Sequence, residues 1–72
     1  MNADNDWLIP SFTAHDDAWR GAIYAMRPGM GPELVLECTH EHHAMRRAVA
    51  CAERELALAR RIVAIADERR PS

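Results

Sequence analysis

The sequence predicts a small α+β domain in which a small β-hairpin and a zinc knuckle precede one long C-terminal α-helix. Two short runs with β-branched, aromatic and other apolar residues flank a turn of glycines and prolines at residues 28–32. Directly after the second run comes a cysteine and histidine pattern, C-x-H-x-H-x8-C. From there to residue 69, neither glycine nor proline interrupts a stretch rich in alanine, leucine and arginine.

Length and charge limit what such a domain can do. A chain of 72 residues is only marginally stable unless a disulfide, a metal or a second subunit supports it. The net charge is −2, divided as −4 over residues 1–37 and +2 over residues 38–72. This distribution lacks the strongly basic footprint of a nucleic-acid-binding domain. Without a basic and apolar leader or an apolar run of about 20 residues, we expect a cytoplasmic protein with no membrane span.

The N-terminal part is predicted to contribute little regular structure. Residues 1–6 are acidic and polar, and are predicted to form a disordered tail. Residues 7–12 form a short apolar segment that Pro10 interrupts. This segment is predicted to cover the edge of the core as a strand or loop, with a docking segment for a partner as the alternative.

The hairpin is predicted to span residues 18–38, because two β-type runs flank a turn rich in glycine and proline. A helix over residues 13–27 is the alternative interpretation. Thr13 and Asp16 resemble a capping box, and Pro28 would end such a helix. Both interpretations place an apolar strand directly before the cysteine and histidine pattern.

The long helix is predicted over residues 43–69, about 40 Å at 1.5 Å per residue. Its polar residues recur every seven positions, and about five of every seven positions are apolar or alanine. A small hairpin cannot cover so wide a face, and residues 56–66 lie beyond the expected reach of the rest of the chain. The sevenfold period predicts a helical pair, so we expect a homodimer or a protein partner on this helix. The polar columns are Arg46, Glu53, Arg60, Asp67 and Arg47, Arg54, Arg61, Glu68.

Cys38, His40, His42 and Cys51 are the candidate metal ligands. Two thiolates and two imidazoles are a donor set that Zn²⁺ prefers in four-coordinate structural sites. His43 would lie at the helix start, about 12 Å along the axis from Cys51, which makes it a less favourable ligand. Reduced cysteines buried in the core, or a disulfide between the two, are the alternatives.

The segment LECTHEHHAMRRAVACAERE resembles one that recurs in small actinobacterial and actinophage proteins. In those proteins an apolar strand enters C-x-H-x-H, followed by a helix ending in A-x-x-C-A-x-R. The resemblance covers 20 of the 72 residues and implies the same four zinc ligands. His43 departs from that pattern as an additional imidazole.

A weaker resemblance concerns layout. The segment WRGAIYAMRPGMGPELVLE is similar to the arm-type DNA-binding domain of phage integrases, in which a small sheet precedes a packing helix. The basic strand residues of such domains are missing here, since Arg20 and Arg27 are offset by Glu33 and Glu37. The resemblance therefore implies a hairpin-then-helix layout more than it implies DNA binding.

These observations favour a regulatory interaction protein over an enzyme. A catalytic zinc keeps an open position in a cleft, for which a thin core leaves little room. We expect a zinc-stabilised phage or actinobacterial regulator that binds another protein through its helix and its apolar N-terminal segment. The alternative is a nucleic-acid-binding regulator in which a dimer pairs the arginine columns of two helices.

Overall fold

The computed structural model describes residues 7–69, which form a three-stranded antiparallel sheet and two helices. The predicted α+β class is therefore confirmed, whereas the tail predicted for residues 1–6 lies outside the described residues. The strand order follows the chain order, so both connections between strands are hairpins. The elements are β1 (Leu8–His15), β2 (Ala18–Ala25), β3 (Glu33–His42), α1 (Met45–Arg54) and α2 (Leu56–Arg69).

The apolar N-terminal segment forms the first half of β1. Leu8 is buried in the core and lies opposite Ala25 in the register of β1 and β2. Pro10 is tolerated because β1 is an edge strand that pairs only with β2. Two residues connect the strands, and the first of them, Asp16, has a φ of 50°. Aspartate is one of the few residue types that adopts this left-handed conformation readily.

Residues 18–42 form a hairpin of β2 and β3, and the alternative helix over residues 13–27 does not form. β2 pairs with β3 from Trp19 opposite His42 to Ala25 opposite Glu33. The connecting loop contains Gly29 with a φ of 77°, a conformation that glycine adopts without strain. β3 extends through His42, with a register irregularity near its middle. The turn predicted as a zinc knuckle after Cys38 is therefore strand, because these residues continue to pair with β2.

The single helix predicted over residues 43–69 is two helices instead. α1 ends at Arg54, and the next residue, Glu55, has a φ of −97° and a ψ of 7° that separate α1 from α2. The Glu55 N–H donates to the carbonyl oxygen of Ala52 at 2.9 Å, an i to i−3 bond that tightens the turn. Neither glycine nor proline marks this break, so the sequence pattern did not reveal it. In the described part of the chain, no helix is long and apolar enough to cross a membrane.

The core lies between the sheet and the inner side of both helices. Alanines dominate it, and Ile23 is the largest fully buried side chain. The expectation that residues 56–66 lie out of reach is wrong, because Ala59 and Val63 are buried with Leu8 in this core. Beyond Val63, however, every residue of α2 is exposed. The buried apolar residues are Leu8, Ala22, Ile23, Ala25, Ala48, Ala52, Ala59 and Val63.

Candidate metal centre

The two cysteines lie together where β3 faces α1. Cys38 is on β3 and Cys51 on α1, and both side chains border one surface groove. The absence of a side chain at Gly21 makes room for this pair. A Cβ at Gly21 would lie 3.1 Å from the Cys38 sulfur and 2.4 Å from the carbonyl oxygen of Ala48 on α1. Both thiols are free and partly buried, at the contact between the middle of β3 and α1.

The electrostatic surroundings of Cys38 keep its thiol protonated at neutral pH. Burial raises the pKa of Cys38 to about 11, and the hydrogen bond with Cys51 and the negative charges of Glu55 and Glu37 act in the same direction. The negative potential that disfavours the thiolate is the potential that favours a cation. A bound metal ion would reverse the balance, because metal binding to cysteine displaces the thiol proton.

The two predicted histidine ligands form a second pair at the end of β3. The ring centroids of His40 and His42 are 4.7 Å apart in an edge-to-face arrangement. The Nε2 atom of His42 is buried and has no hydrogen-bond partner in the described structure. Burial lowers the pKa of His42, and the positive charges of His40, Arg47 and Arg54 lower it further. The lowered pKa favours the neutral imidazole of His42, the form that binds metals.

These residues border two adjacent surface grooves. The thiol groove is lined by Leu36, Cys38, His40, Cys51, Glu55 and Leu58, among others. The histidine groove is lined by His40, His42, His43, Ala44, Arg46 and Arg47, together with Glu41. Only His40, of the four predicted ligands, borders both. Across residues 7–69, no three His, Cys, Asp or Glu side chains converge closely enough to hold a metal ion. The structure thus brings the four candidates together as two neighbouring pairs, not as one cluster.

Glu55 also borders the thiol groove, a position that the sequence pattern did not indicate. It lies four residues after Cys51, and residues at this spacing share one side of a helix. The spacing was visible in the sequence, but Glu55 looked like an isolated interruption of the apolar pattern. Its position beside two thiols depends on how α1 packs against β3.

A second polar cluster, also overlooked, occupies the sheet face opposite α1. His15 Nε2 lies 2.9 Å from Glu37 Oε2, and the Thr13 hydroxyl donates to the same carboxylate. Arg20 donates to Glu41 at 2.9 Å and lies 4.0 Å from Glu37. The Thr13 hydrogen bond, with that of His15, holds the pKa of Glu37 below its usual value. Carboxylates thus offset the charge of Arg20 on this face.

Comparison of the chain with protein-family models, with curated proteins and with solved structures finds no match. The resemblances to small actinobacterial and actinophage proteins and to integrase arm domains therefore stay predictions. The function proposed below depends on the residues of this chain alone.

Proposed function

We propose that this protein is a non-enzymatic, zinc-stabilised regulator that acts in the cytoplasm by binding a helix of another protein. The observation that carries the proposal is the apolar stripe on the outer side of α2, formed by Leu58, Ile62 and Ile65. These side chains are 47%, 39% and 50% exposed after the chain has folded. Their spacing of four and then three residues is that of a seam between paired helices.

Contacts on the inner side of α2 and near its C-terminal end hold the helix with this stripe facing outward. On its inner side, Ala59 and Val63 belong to the core. Near its C-terminal end, Arg27 binds Asp67 at 3.4 Å, and the same guanidinium lies 4.3 Å from the ring centroid of Trp7. A rotation of α2 that buried the stripe would break these contacts. Covering it therefore takes a second chain.

The N-terminal segment has a smaller part in this proposal than the sequence indicated. Leu8 is buried and Trp7 packs against the core, so these side chains support the fold. Ile9 is the large apolar side chain that the segment leaves exposed. The proposed partner surface is therefore the stripe on α2, and a second copy of the chain is its simplest occupant, because symmetric dimers are the commonest assemblies.

Zinc supports this surface by stabilising the domain that presents it. Cys38 and Cys51 lie on facing elements and border one groove, and His40 borders the same groove. A zinc ion on these residues would link β3 to α1 and add its binding free energy to a core composed mainly of alanine. The two free cysteines agree with a reducing compartment such as the cytoplasm.

Replacing Ile62 with glutamate is expected to dissociate the dimer. Burying one such side chain contributes about 1.5–3 kcal/mol, and a symmetric dimer loses two of them, so the dissociation constant should rise at least about 100-fold. The matched control is Ala64→Glu, which adds the same charge to the same helix. Ala64 is exposed and lies about 160° around the helix from Ile62.

Size-exclusion chromatography with light scattering measures the outcome. The wild-type chain and Ala64→Glu should have twice the 8.1 kDa monomer mass, and Ile62→Glu the monomer mass. Equal masses for the two variants would show that the stripe is not the interface. A wild-type chain that stays monomeric at millimolar concentration would contradict self-association.

Duplex DNA is expected not to bind tightly. Arg20 on the open sheet face is paired with Glu41, and the arginines of α1 and α2 alternate with acidic residues. Phosphate binding needs uncompensated positive charge, because counterion release supplies most of the non-specific affinity. A gel-shift titration at about 150 mM salt should show no sub-micromolar complex. Such a complex would favour the alternative regulator that pairs arginine columns on DNA.

A further inference from the structure

We propose that the zinc ion is held by Cys38, His40, Cys51 and Glu55, so that Glu55 takes the position predicted for His42. This inference rests on the proposed zinc binding and concerns only the identity of the fourth ligand. It requires the His40 and Glu55 side chains to turn towards the two thiols across the thiol groove that all four border. Carboxylate oxygen is, with thiolate and imidazole, one of the ordinary protein ligands of zinc.

Glu55 lies close to Cys51, and its carboxylate is available to bind a ligand. It follows Cys51 by four residues, about one helical turn, and so shares its side of the helix. Its side chain is half-buried at the junction of α1 and α2. Among residues 7–69, the Glu55 carboxylate forms no ion pair and no hydrogen bond. Glu37 also borders the thiol groove, but its carboxylate is already bound to Thr13 and His15.

His42 is less well placed for the same ion. It lines the histidine groove and does not border the thiol groove. The positive charges of His40, Arg47 and Arg54 act on its ring, whereas the charges acting on Cys38 are the negative ones of Cys51, Glu55 and Glu37. A divalent cation gains free energy in the second environment and loses it in the first. The electrostatic difference favours a site centred on the thiols.

A site of this composition would join three parts of the fold. Cys38 and His40 belong to β3, Cys51 to α1, and Glu55 to the break between the helices. Zinc bound there would fix the angle at a break that no glycine or proline specifies. Because α2 carries the apolar stripe, the metal would also fix the direction in which that stripe points.

Zinc affinity of the full chain tests the assignment by competition with a chromophoric chelator. Glu55→Gln should weaken binding by about 100-fold or more, since even indirect partners of a metal site contribute 10–100-fold. His42→Ala should stay within about threefold of wild type, as expected for a residue outside the coordination shell. Cys51→Ala should abolish binding and serves as the positive control.

Cobalt substitution gives a second readout that does not depend on a loss of affinity. Co²⁺ in a tetrahedral thiolate site has a sulfur-to-metal charge-transfer band whose intensity follows the number of thiolates. Glu55→Cys should raise this band by about half, because the number of thiolate ligands increases from two to three. His42→Cys should leave it at the wild-type intensity.

The outcomes separate the fourth ligand from the zinc site itself. A wild-type chain that binds neither Zn²⁺ nor Co²⁺ would overturn the proposed zinc binding and this inference with it. If zinc binds and His42→Ala loses it while Glu55→Gln keeps it, only the assignment of Glu55 is wrong. If Glu55→Gln fails to fold, the cobalt spectra of the two cysteine variants decide between the residues.

Discussion

Replacing Gly21 with alanine is expected to destabilise the domain more than any other single methyl group added to the sheet. A Cβ at this position would lie 2.4 Å from the Ala48 carbonyl oxygen and 2.8 Å from the Ala52 nitrogen. Both are backbone atoms of α1, so no side-chain rotation relieves the contact and the helix must move away. We expect a cost of about 3 kcal/mol and a melting temperature lower by about 12–24 °C.

That cost is a large part of the free energy of unfolding of a domain of this size, which is roughly 4–11 kcal/mol in total. Thermal and urea denaturation followed by circular dichroism would measure it. Gly31→Ala is the matched control, because a Cβ there meets nothing within 4 Å. If the two variants melt at the same temperature, α1 does not pack on Gly21 as described.

Removing zinc is expected to have the second large effect. Protein purified without added metal should contain about one zinc ion per chain, and a strong chelator should loosen or unfold it. Free zinc at a thousandfold excess over its dissociation constant stabilises the folded state by about 4 kcal/mol, which corresponds to roughly 16–32 °C in a small domain. Elemental analysis and paired melting curves provide the measurement.

The control for this prediction is Cys51→Ser, which removes a thiol that every candidate ligand set contains. Its melting temperature should be lower than that of the zinc-bound wild type and should not change with the chelator, because the variant has no metal for the chelator to remove. The prediction fails if the wild-type protein contains no zinc and melts at the same temperature with and without chelator. The cysteines would then be small core residues, the alternative that the sequence left open.

Much of the fold could be predicted because its determinants are local. The run from Glu33 to Cys38 is a strand by composition, and the turn at residues 28–32 requires the glycines and prolines that are present. The helical region follows from residue preferences alone. β1 was harder, because Pro10 interrupts its pattern and an edge strand tolerates proline that a central strand does not.

The break at Glu55 and the extent of β3 were not predictable in the same way. The residues around Glu55 all favour helix, so only packing against the sheet distinguishes two helices from one. Thr39 to His42 contain little that favours a strand, yet they continue β3 because Trp19 and Arg20 of β2 offer partners. In both places a tertiary contact prevailed over local preference.

In the candidate site, too, residue types were predictable from the sequence, whereas their positions in space were not. Its chemistry was recognisable in the sequence, since two cysteines and two histidines within 14 residues are a zinc-binding composition. Which side of the helix faces Cys38 depended on how α1 packs against the sheet, and helical periodicity alone does not decide it. The pattern selected His42 and not Glu55, although each lies four residues from a cysteine, because the surroundings that set them apart exist only in the folded chain.

The sequence by itself determined the strand before the cysteine and histidine pattern, the glycine and proline turn at residues 28–32, the helical character of the C-terminal region, the weak charge and the donor atoms available for a metal. Each of these depends on residue identity and on spacing within one element. The tertiary structure alone decided that α1 packs directly against Gly21, that the two thiols lie close together, and that Glu55 borders the same groove. It also decided which apolar stripe of α2 enters the core and which remains outside. The physical reason is that such contacts join residues far apart in the chain, and their distances depend on strand register and helix packing.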